Sequence, residues 1–225
     1  KKYLEYFEKY SEIPYPLEKL DLIAVPDFQS GAMENWGAIT FRELVLLIDE
    51  KSSERIKKRV AEIIAHELWH QWSGNLVTMK WWDDLWLNES FANYMAYKAV
   101  DHFSPEWKTW EDYLSSEASR GMFKDTLKST HPIEVKVNSP SEIEEIFDDI
   151  SYAKGGSVLR MLEAYVGEEQ FRLGVSAYLK KHEYGNAEAH DLWHAIAETT
   201  NNQNIKNIMK SWISQPGYLS WADLQ

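Results

Sequence analysis

Two histidines and two glutamates carry the chemistry that this sequence could perform. His66 and His70 enclose Glu67 in the pattern H-E-x-x-H, and Glu89 follows after eighteen intervening residues. Residues four apart on an α-helix share a face, so two imidazoles in this spacing can reach one zinc ion at about 2.0–2.1 Å. Glu67 lies on the flank of that face, where it is free to act on a water at the metal. The spacing predicts a catalytic zinc centre, with Glu89 as the candidate for the third ligand.

An H-E-x-x-H pattern can also arise by chance on a solvated helix face. Here apolar residues surround the motif on most sides of the helix: Ile63, Ile64, Ala65, Leu68, Trp69 and Trp72. A helix with this pattern is predicted to be buried. Two histidines and a glutamate inside a buried helix need a polar partner, and a metal ion supplies one. The context therefore favours the metal site.

Two helices must bring these residues together. Ser52 and Ser53 are candidate N-caps for the helix that carries the histidines. The segment Ser73-Gly74-Asn75 is predicted to end that helix. Asp83-Asp84 opens a second helical region, which carries Glu89. The zinc site is thus expected where these two helices meet.

The strands are predicted in the first part of the chain. Residues 2–10 have the amphipathic pattern of a helix. Short strands are predicted over residues 20–25, 38–41 and 44–48, and residues 76–82 have an extended, aromatic pattern.

From residue 85 onward almost every segment has a helical pattern. This segregation of strands from helices predicts an α+β fold. We expect a single catalytic domain over residues 1–225, with a mixed β lobe (1–50) and a mainly helical lobe (51–225). The zinc ion would lie in the cleft between the two lobes.

Composition limits the classes of partner. The net charge of −12 disfavours nucleic acid and anionic membranes, and no apolar run has the length of a membrane-spanning helix. The chain has no cysteine, which excludes disulfides and thiol catalysis and weakly favours a reducing compartment. Its first residue is Lys1 rather than an initiator methionine, which is compatible with a fragment of a longer protein.

Two further segments have a simple interpretation when taken alone. Glycines bracket a single acidic residue in Gly31-Ala32-Met33-Glu34-Asn35-Trp36-Gly37, which favours a glycine turn with a solvated glutamate. Tyr152 is one of twelve tyrosines, and a packing role would be the ordinary interpretation.

Three signatures in order change both interpretations. They are Gly31-Ala32-Met33-Glu34-Asn35, then His66-Glu67-x-x-His70 with Glu89, then Tyr152-Ala153-Lys154-Gly155. Together they resemble the gluzincin zinc aminopeptidase family of the aminopeptidase N type, over essentially the whole chain, and look most like its bacterial cytosolic members. The resemblance implies a thermolysin-like, two-lobed catalytic domain in the cytoplasm. It also implies flanking domains that this chain does not contain.

The resemblance also implies roles for individual residues. Glu34 would bind the free α-amino group of a peptide, and the backbone around Gly31, Ala32 and Met33 would pair with the peptide as an added strand. Asn35 would be a further substrate-binding residue. One zinc ion per chain, held by His66, His70 and Glu89, would polarise the scissile carbonyl. Glu67 would act as the general base and Tyr152 would stabilise the oxyanion. The implied activity is hydrolysis of the N-terminal peptide bond of peptides with a free amino terminus.

Two positions depart from the family pattern. The residue at the position of Trp69 is usually alanine, and the residue at the position of Ser73 is usually phenylalanine. Since the two lie four apart on one helix face, we interpret them as one compensated exchange of volume. The alternative function is a catalytically impaired domain, which keeps the fold and the zinc site but lacks the flanking domains needed for efficient turnover.

Overall fold

The computed structural model describes residues 1–217 of the chain. In this range the α-helices are α1 (Lys2–Ser11), α2 (Glu54–Trp69), α3 (Leu85–Phe103), α4 (Thr109–Asp112), α5 (Ser119–Asp125), α6 (Gly155–Val166), α7 (Glu168–Lys181), α8 (Ala189–Thr199) and α9 (Ile205–Ile213). The strands are β1 (Asp21–Val25), β2 (Ala32–Met33), β3 (Ala38–Arg42), β4 (Val77–Met79) and β5 (Gly185–Ala187). Residues 218–225, which belong to the predicted helical lobe, lie outside the described range.

A three-stranded sheet forms the first part of the fold, in the order β1–β3–β2. Strand β3 pairs in parallel with β1 and antiparallel with β2, so β2 is an edge strand of the described sheet. The predicted helix over residues 2–10 and the strands over 20–25 and 38–41 are confirmed by α1, β1 and β3.

The predicted strand over residues 44–48 is wrong. Glu43–Val45 forms a 3₁₀ turn instead, and the backbone N–H of Leu47 donates locally to the carbonyl of Glu43 at 2.9 Å. Leu44 is 81% exposed. Leu47 and Ile48 are exposed as well, and only Val45 and Leu46 pack against the core. Two adjacent residues would point to opposite faces of a strand, so these apolar residues do not form the single buried face that stabilises one.

Helices α2 and α3 pack against each other and form the centre of the fold. Ser53 caps α2 as predicted, since its hydroxyl accepts the backbone N–H of Ile56 at 3.3 Å. The regular helix ends at Trp69, so His70 is its C-cap, several residues before the predicted end. Most of α3 is buried, and it carries Glu89 in its second turn.

Helix α1 packs on α2 through aromatic rings. The indole of Trp69 is fully buried, with the rings of Phe7, Tyr10 and Phe91 at centroid distances of 5.2, 5.8 and 5.4 Å. The hydroxyl of Ser73 is buried and donates to the backbone carbonyl of Leu87 at 2.8 Å. Both unusual residues therefore lie in the tightly packed region around α2, and their predicted coupling remains a prediction.

A second sheet was not predicted. It consists of β4, which confirms part of the predicted extended segment, and β5, which pairs with it in parallel. The segment Gly185-Asn186-Ala187 has none of the β-branched or aromatic residues that identify a strand, and its pairing partner is distant in the chain. Helices make up most of the described chain after residue 85, as predicted, but residues 126–139 and the β5 segment are not helical. The fold is thus mainly helical with few strands, consistent with the predicted α+β class, while the division into two lobes remains a prediction. None of the helices within residues 1–217 combines the length and apolar character needed to cross a bilayer.

We expect substitutions at Trp69 and Ser73 to have coupled effects on the free energy of unfolding. Trp69→Ala alone should cost about 3–5 kcal/mol of unfolding free energy, because it leaves a cavity. Ser73→Phe alone should cost about 1–3 kcal/mol by overpacking. The double variant should lose at least about 1 kcal/mol less than the sum, measured by urea denaturation of all four proteins. The control pair is Tyr113→Ala with Ser73→Phe, since Tyr113 is buried in a separate cluster with Tyr97 and Ala118 and should show no coupling. Additive losses in both pairs would mean that the two substitutions are unrelated.

Candidate functional site

The three predicted metal ligands meet at one point. The Nε2 atoms of His66 and His70 lie 3.0 Å apart. The Oε2 atom of Glu89 lies 3.2 Å from the first and 3.5 Å from the second. Ligand atoms around a tetrahedral zinc ion with bonds of about 2.0–2.1 Å are separated by about 3.3 Å. The side chains are therefore already spaced as zinc ligands require.

The backbone and its hydrogen bonds orient these side chains. His66 and His70 lie one turn apart at the end of α2. The Nδ1 atom of His70 lies 3.1 Å from the backbone carbonyl of Ser73, and donation of an Nδ1 proton to this carbonyl fixes the ring so that Nε2 is the nitrogen that faces the cluster. Because His70 and Glu89 are both buried, the packing of α2 against α3 determines the geometry of the cluster.

The cluster carries more negative than positive charge. Burial alone would raise the pKa of Glu89, but His70 and His66 hold it well below the usual range of a carboxyl. Burial alone would lower the pKa of His70, but Glu34 and Glu89 raise it to about 10. Three carboxylates around two imidazoles therefore create a site that favours a cation. This donor set of two imidazoles and a carboxylate fits zinc.

Glu67 lies beside the ligands with one oxygen unused. Its Oε2 atom is buried and has no hydrogen-bond partner within residues 1–217. Burial raises the pKa of Glu67 to about 8, with further contributions from Glu34 and Glu89 and an opposing one from His70. An uncommitted carboxylate next to a metal site is suited to exchange a proton with a water there.

The glycine-bracketed segment faces the same cavity. A carboxylate oxygen of Glu34 lies within 4.8 Å of ligand atoms of both Glu67 and His70. Two amides hold its backbone in place: Gln71 Nε2 and Asn75 Nδ2 donate to the carbonyl of Glu34 at 3.1 and 2.8 Å. Glu34 is half-buried in this position rather than freely solvated.

The remaining residues of this segment divide into two groups. Gly31, Ala32 and Met33 line the cavity together with Glu34. Asn35 does not line it, because its side-chain amide turns back to the hydroxyl of Thr40 at 3.2 Å. The contribution of Asn35 to the site is thus closure of the turn between β2 and β3.

Tyr152 lies on the other side of His66. It is carried by a π-helical turn, Ile150–Lys154, and its ring stacks on the imidazole of His66 at a centroid distance of 6.1 Å. Burial, reinforced by Glu89, raises the pKa of Tyr152 far above the usual range, so the phenol stays protonated and can donate. Gly155 allows this turn to approach α3, since a Cβ there would lie 1.9 Å from Ser90 Oγ.

The cavity extends beyond the predicted residues. It has a volume of about 540 Å³ and is also lined by Glu62, Asn93, Tyr97, Glu117, Arg120 and Phe147. Sequence reasoning missed all of these, as well as Gln71 and Asn75. The sequence spacing could have identified three of them, because residues four apart on a helix lie on the same face. Glu62 lies four residues before His66, and Asn93 and Tyr97 lie four and eight residues after Glu89.

Several known proteins are similar to this chain over nearly its whole length. The chain is similar to the leucyl aminopeptidase of Saccharolobus solfataricus, with 58% identity over 215 residues that cover 96% of this chain and 27% of that protein. It is also similar to the tricorn protease-interacting factor F2 of Thermoplasma volcanium, with 56% identity over 218 residues, 97% of this chain and 28% of that protein. Aminopeptidase M1 of Arabidopsis thaliana is 52% identical over 218 residues, 96% of this chain and 25% of that protein.

The chain thus spans about a quarter of the length of the curated relatives that it matches. The aminopeptidase resemblance is confirmed at the level of the family, and the likeness to bacterial cytosolic members remains a prediction. The family model described as the peptidase family M1 domain matches residues 1–212. The chain therefore belongs to peptidase family M1.

Proposed function

We propose that this chain is the catalytic part of a zinc aminopeptidase, which hydrolyses the first peptide bond of peptides with a free amino terminus. One observation carries the proposal. The Glu34 carboxylate lies within 4.8 Å of ligand atoms of Glu67 and His70, beside the cluster formed by His66, His70 and Glu89. An anion so close to the candidate metal ligands leaves room for one amino-acid residue.

The distances favour an exopeptidase over an endopeptidase. An extended residue spans about 3.3–3.6 Å, which is comparable to the separation between Glu34 and the ligand cluster. A peptide whose α-ammonium group pairs with Glu34 would present its first carbonyl at the candidate metal site. The edge strand β2 leaves a free backbone edge in the described sheet, to which such a peptide can add as a strand. Additional residues before the first one would meet Glu34 and its turn.

The residues of the chain divide the chemistry among them. When bound by His66, His70 and Glu89, zinc supplies Lewis acidity, which polarises the scissile carbonyl and lowers the pKa of a nearby water. Glu67 takes a proton from the attacking water with its uncommitted oxygen and returns it to the departing amine. The phenol of Tyr152 donates a hydrogen bond to the developing oxyanion.

The substrate range of the whole protein is also a proposal, because the chain spans about a quarter of its relatives. The relatives named here include a leucyl aminopeptidase, so an aliphatic first residue is the starting choice for an assay. The second candidate function is a catalytically impaired domain that keeps the fold and the zinc site. The assays below separate the two.

Substitution of Glu67 and Tyr152 should separate their roles. Glu67→Gln keeps the size but removes the basicity, so kcat for a leucyl anilide should fall by about 100- to 10,000-fold while zinc is retained. Tyr152→Phe should lower kcat by about 100-fold with little change in KM, because its interaction is made mainly in the transition state. Steady-state kinetics and metal analysis give both results. A change in KM alone would make Tyr152 a substrate-binding residue instead.

The exopeptidase assignment is tested with leucyl anilide and its N-acetyl derivative. Zinc-loaded chain should hydrolyse the free amine and leave the acetylated compound intact. Glu34→Gln should lower kcat/KM for the free amine by about 10- to 100-fold, since it removes one partner of a charge-assisted hydrogen bond. Glu43→Gln, an exposed acid after β3, is the matched control. Equal hydrolysis of both compounds would refute the aminopeptidase proposal, and zinc binding without hydrolysis of either would favour the impaired domain.

A further inference from the structure

The cavity continues past the candidate metal site in the direction away from Glu34. Glu34 is held near the C-terminal end of α2, through Gln71 and Asn75. Glu62 lies four residues before His66 on α2. It is therefore on the same face of the helix as His66 and about 6 Å closer to the N-terminal end. Both glutamates line one cavity, with the ligand cluster between them.

Glu62 has little compensation for its charge. Its side chain is only 12% exposed, and its one ion-pair partner within residues 1–217 is Arg59 at 3.9 Å, whose own side chain is 61% exposed. Burial raises the pKa of Glu62 to about 7, Arg59 and Lys58 lower it, and Glu117 and Asp112 raise it further. A carboxyl in this condition would be stabilised by an additional cation.

Glu117, the neighbouring buried acid, differs from Glu62 because its charge is compensated. Glu117 is also buried, but it accepts hydrogen bonds from Asn93 Nδ2 at 3.3 Å and from Arg120 at 2.6 Å. Arg120 contacts Asp149 as well, at 3.2 Å. Because Arg120 is committed to these two acids, it does not neutralise Glu62. Glu62 is thus the acid at this end of the cavity that is free to receive a ligand.

Acidic side chains outnumber basic ones around the whole cavity, not only beside Glu62. Its lining contains six carboxylates and two arginines. A peptide that pairs its α-ammonium group with Glu34 and places its first carbonyl at the ligand cluster must direct its second residue toward the opposite end, where Glu62 lies. A lysine or arginine side chain is long enough to cross the remaining distance of about one helical turn.

We propose that Glu62 selects peptides whose second residue is lysine or arginine, by pairing with the cationic side chain on the leaving-group side of the scissile bond. This inference rests on the proposed aminopeptidase function, which supplies the direction of the peptide. An acidic second residue, or the free carboxylate of a dipeptide, would meet the uncompensated charge of Glu62 and is disfavoured.

Three peptides test the inference: Leu-Lys-Ala-amide, Leu-norleucine-Ala-amide and Leu-Glu-Ala-amide. Norleucine keeps the carbon chain of lysine and lacks its charge. We expect kcat/KM to be about 3- to 10-fold higher for lysine than for norleucine, and lowest for glutamate. Glu62→Gln should bring the lysine-to-norleucine ratio close to one, and Glu62→Arg should favour the glutamate peptide. Glu54→Gln, an exposed acid in the first turn of the same helix, should keep the ratio of the unmodified chain.

Binding to the Glu67→Gln variant, measured by calorimetry, gives the same comparison without turnover. Tighter binding of the lysine peptide, lost when Glu62→Gln is added, supports the inference even if no peptide is hydrolysed, in which case only the proposed chemistry fails. Active protein with equal kcat/KM for lysine and norleucine overturns the inference and leaves the aminopeptidase proposal intact. Equal affinities of the two peptides for the Glu67→Gln variant also overturn it.

Discussion

The structure depends on a carboxylate buried between two imidazoles. Glu89 is 7% exposed, and an isolated ionised carboxylate at such a depth is strongly unfavourable. His66 and His70 compensate it, but they can do so only if α2 and α3 pack at one distance and in one register. The apolar surface of the two helices supplies that packing. The hydrophobic core and the polar cluster are therefore parts of a single arrangement, in which the core positions the ligand atoms and the ligand atoms remove the cost of the buried charge.

The same helix also connects the metal site to the substrate-binding edge. Gln71 and Asn75 lie one and five residues after His70, just beyond the end of α2, and their side-chain amides donate to the backbone carbonyl of Glu34. The distance between the anion for the amino terminus and the candidate metal ligands is thus set by a few residues that follow the end of α2. In the other direction, α2 presents Glu62 one turn before His66. In our proposals a single helix defines both the first and the second residue of the peptide.

Patterns in the sequence predicted the features that local physics decides. The spacing of His66 and His70 and the Ser53 cap depend on neighbours within a few residues, and the structure shows both. The predicted burial of α2 holds for its C-terminal end, residues 65–69, while its first turns are exposed. The convergence of Glu34 and Tyr152 on this site depends on distant packing, so spacing alone could not specify it and a resemblance to a family was required. The strand predicted over residues 44–48 failed because apolar residues indicate a strand only where another surface covers them. Strand β5 was missed because its pairing with β4 is remote in the chain and its residues carry no strand preference.

The zinc content of the purified chain tests the central claim most directly. Metal analysis by mass spectrometry should find one zinc ion per chain in the unmodified protein and in His194→Ala, which changes a histidine on α8. His66→Ala should lose nearly all of the zinc while remaining folded by circular dichroism, because two of the three ligands do not hold the ion at a dilute concentration of free metal. Stoichiometric zinc in folded His66→Ala would contradict the account, since the metal would then be bound at another site.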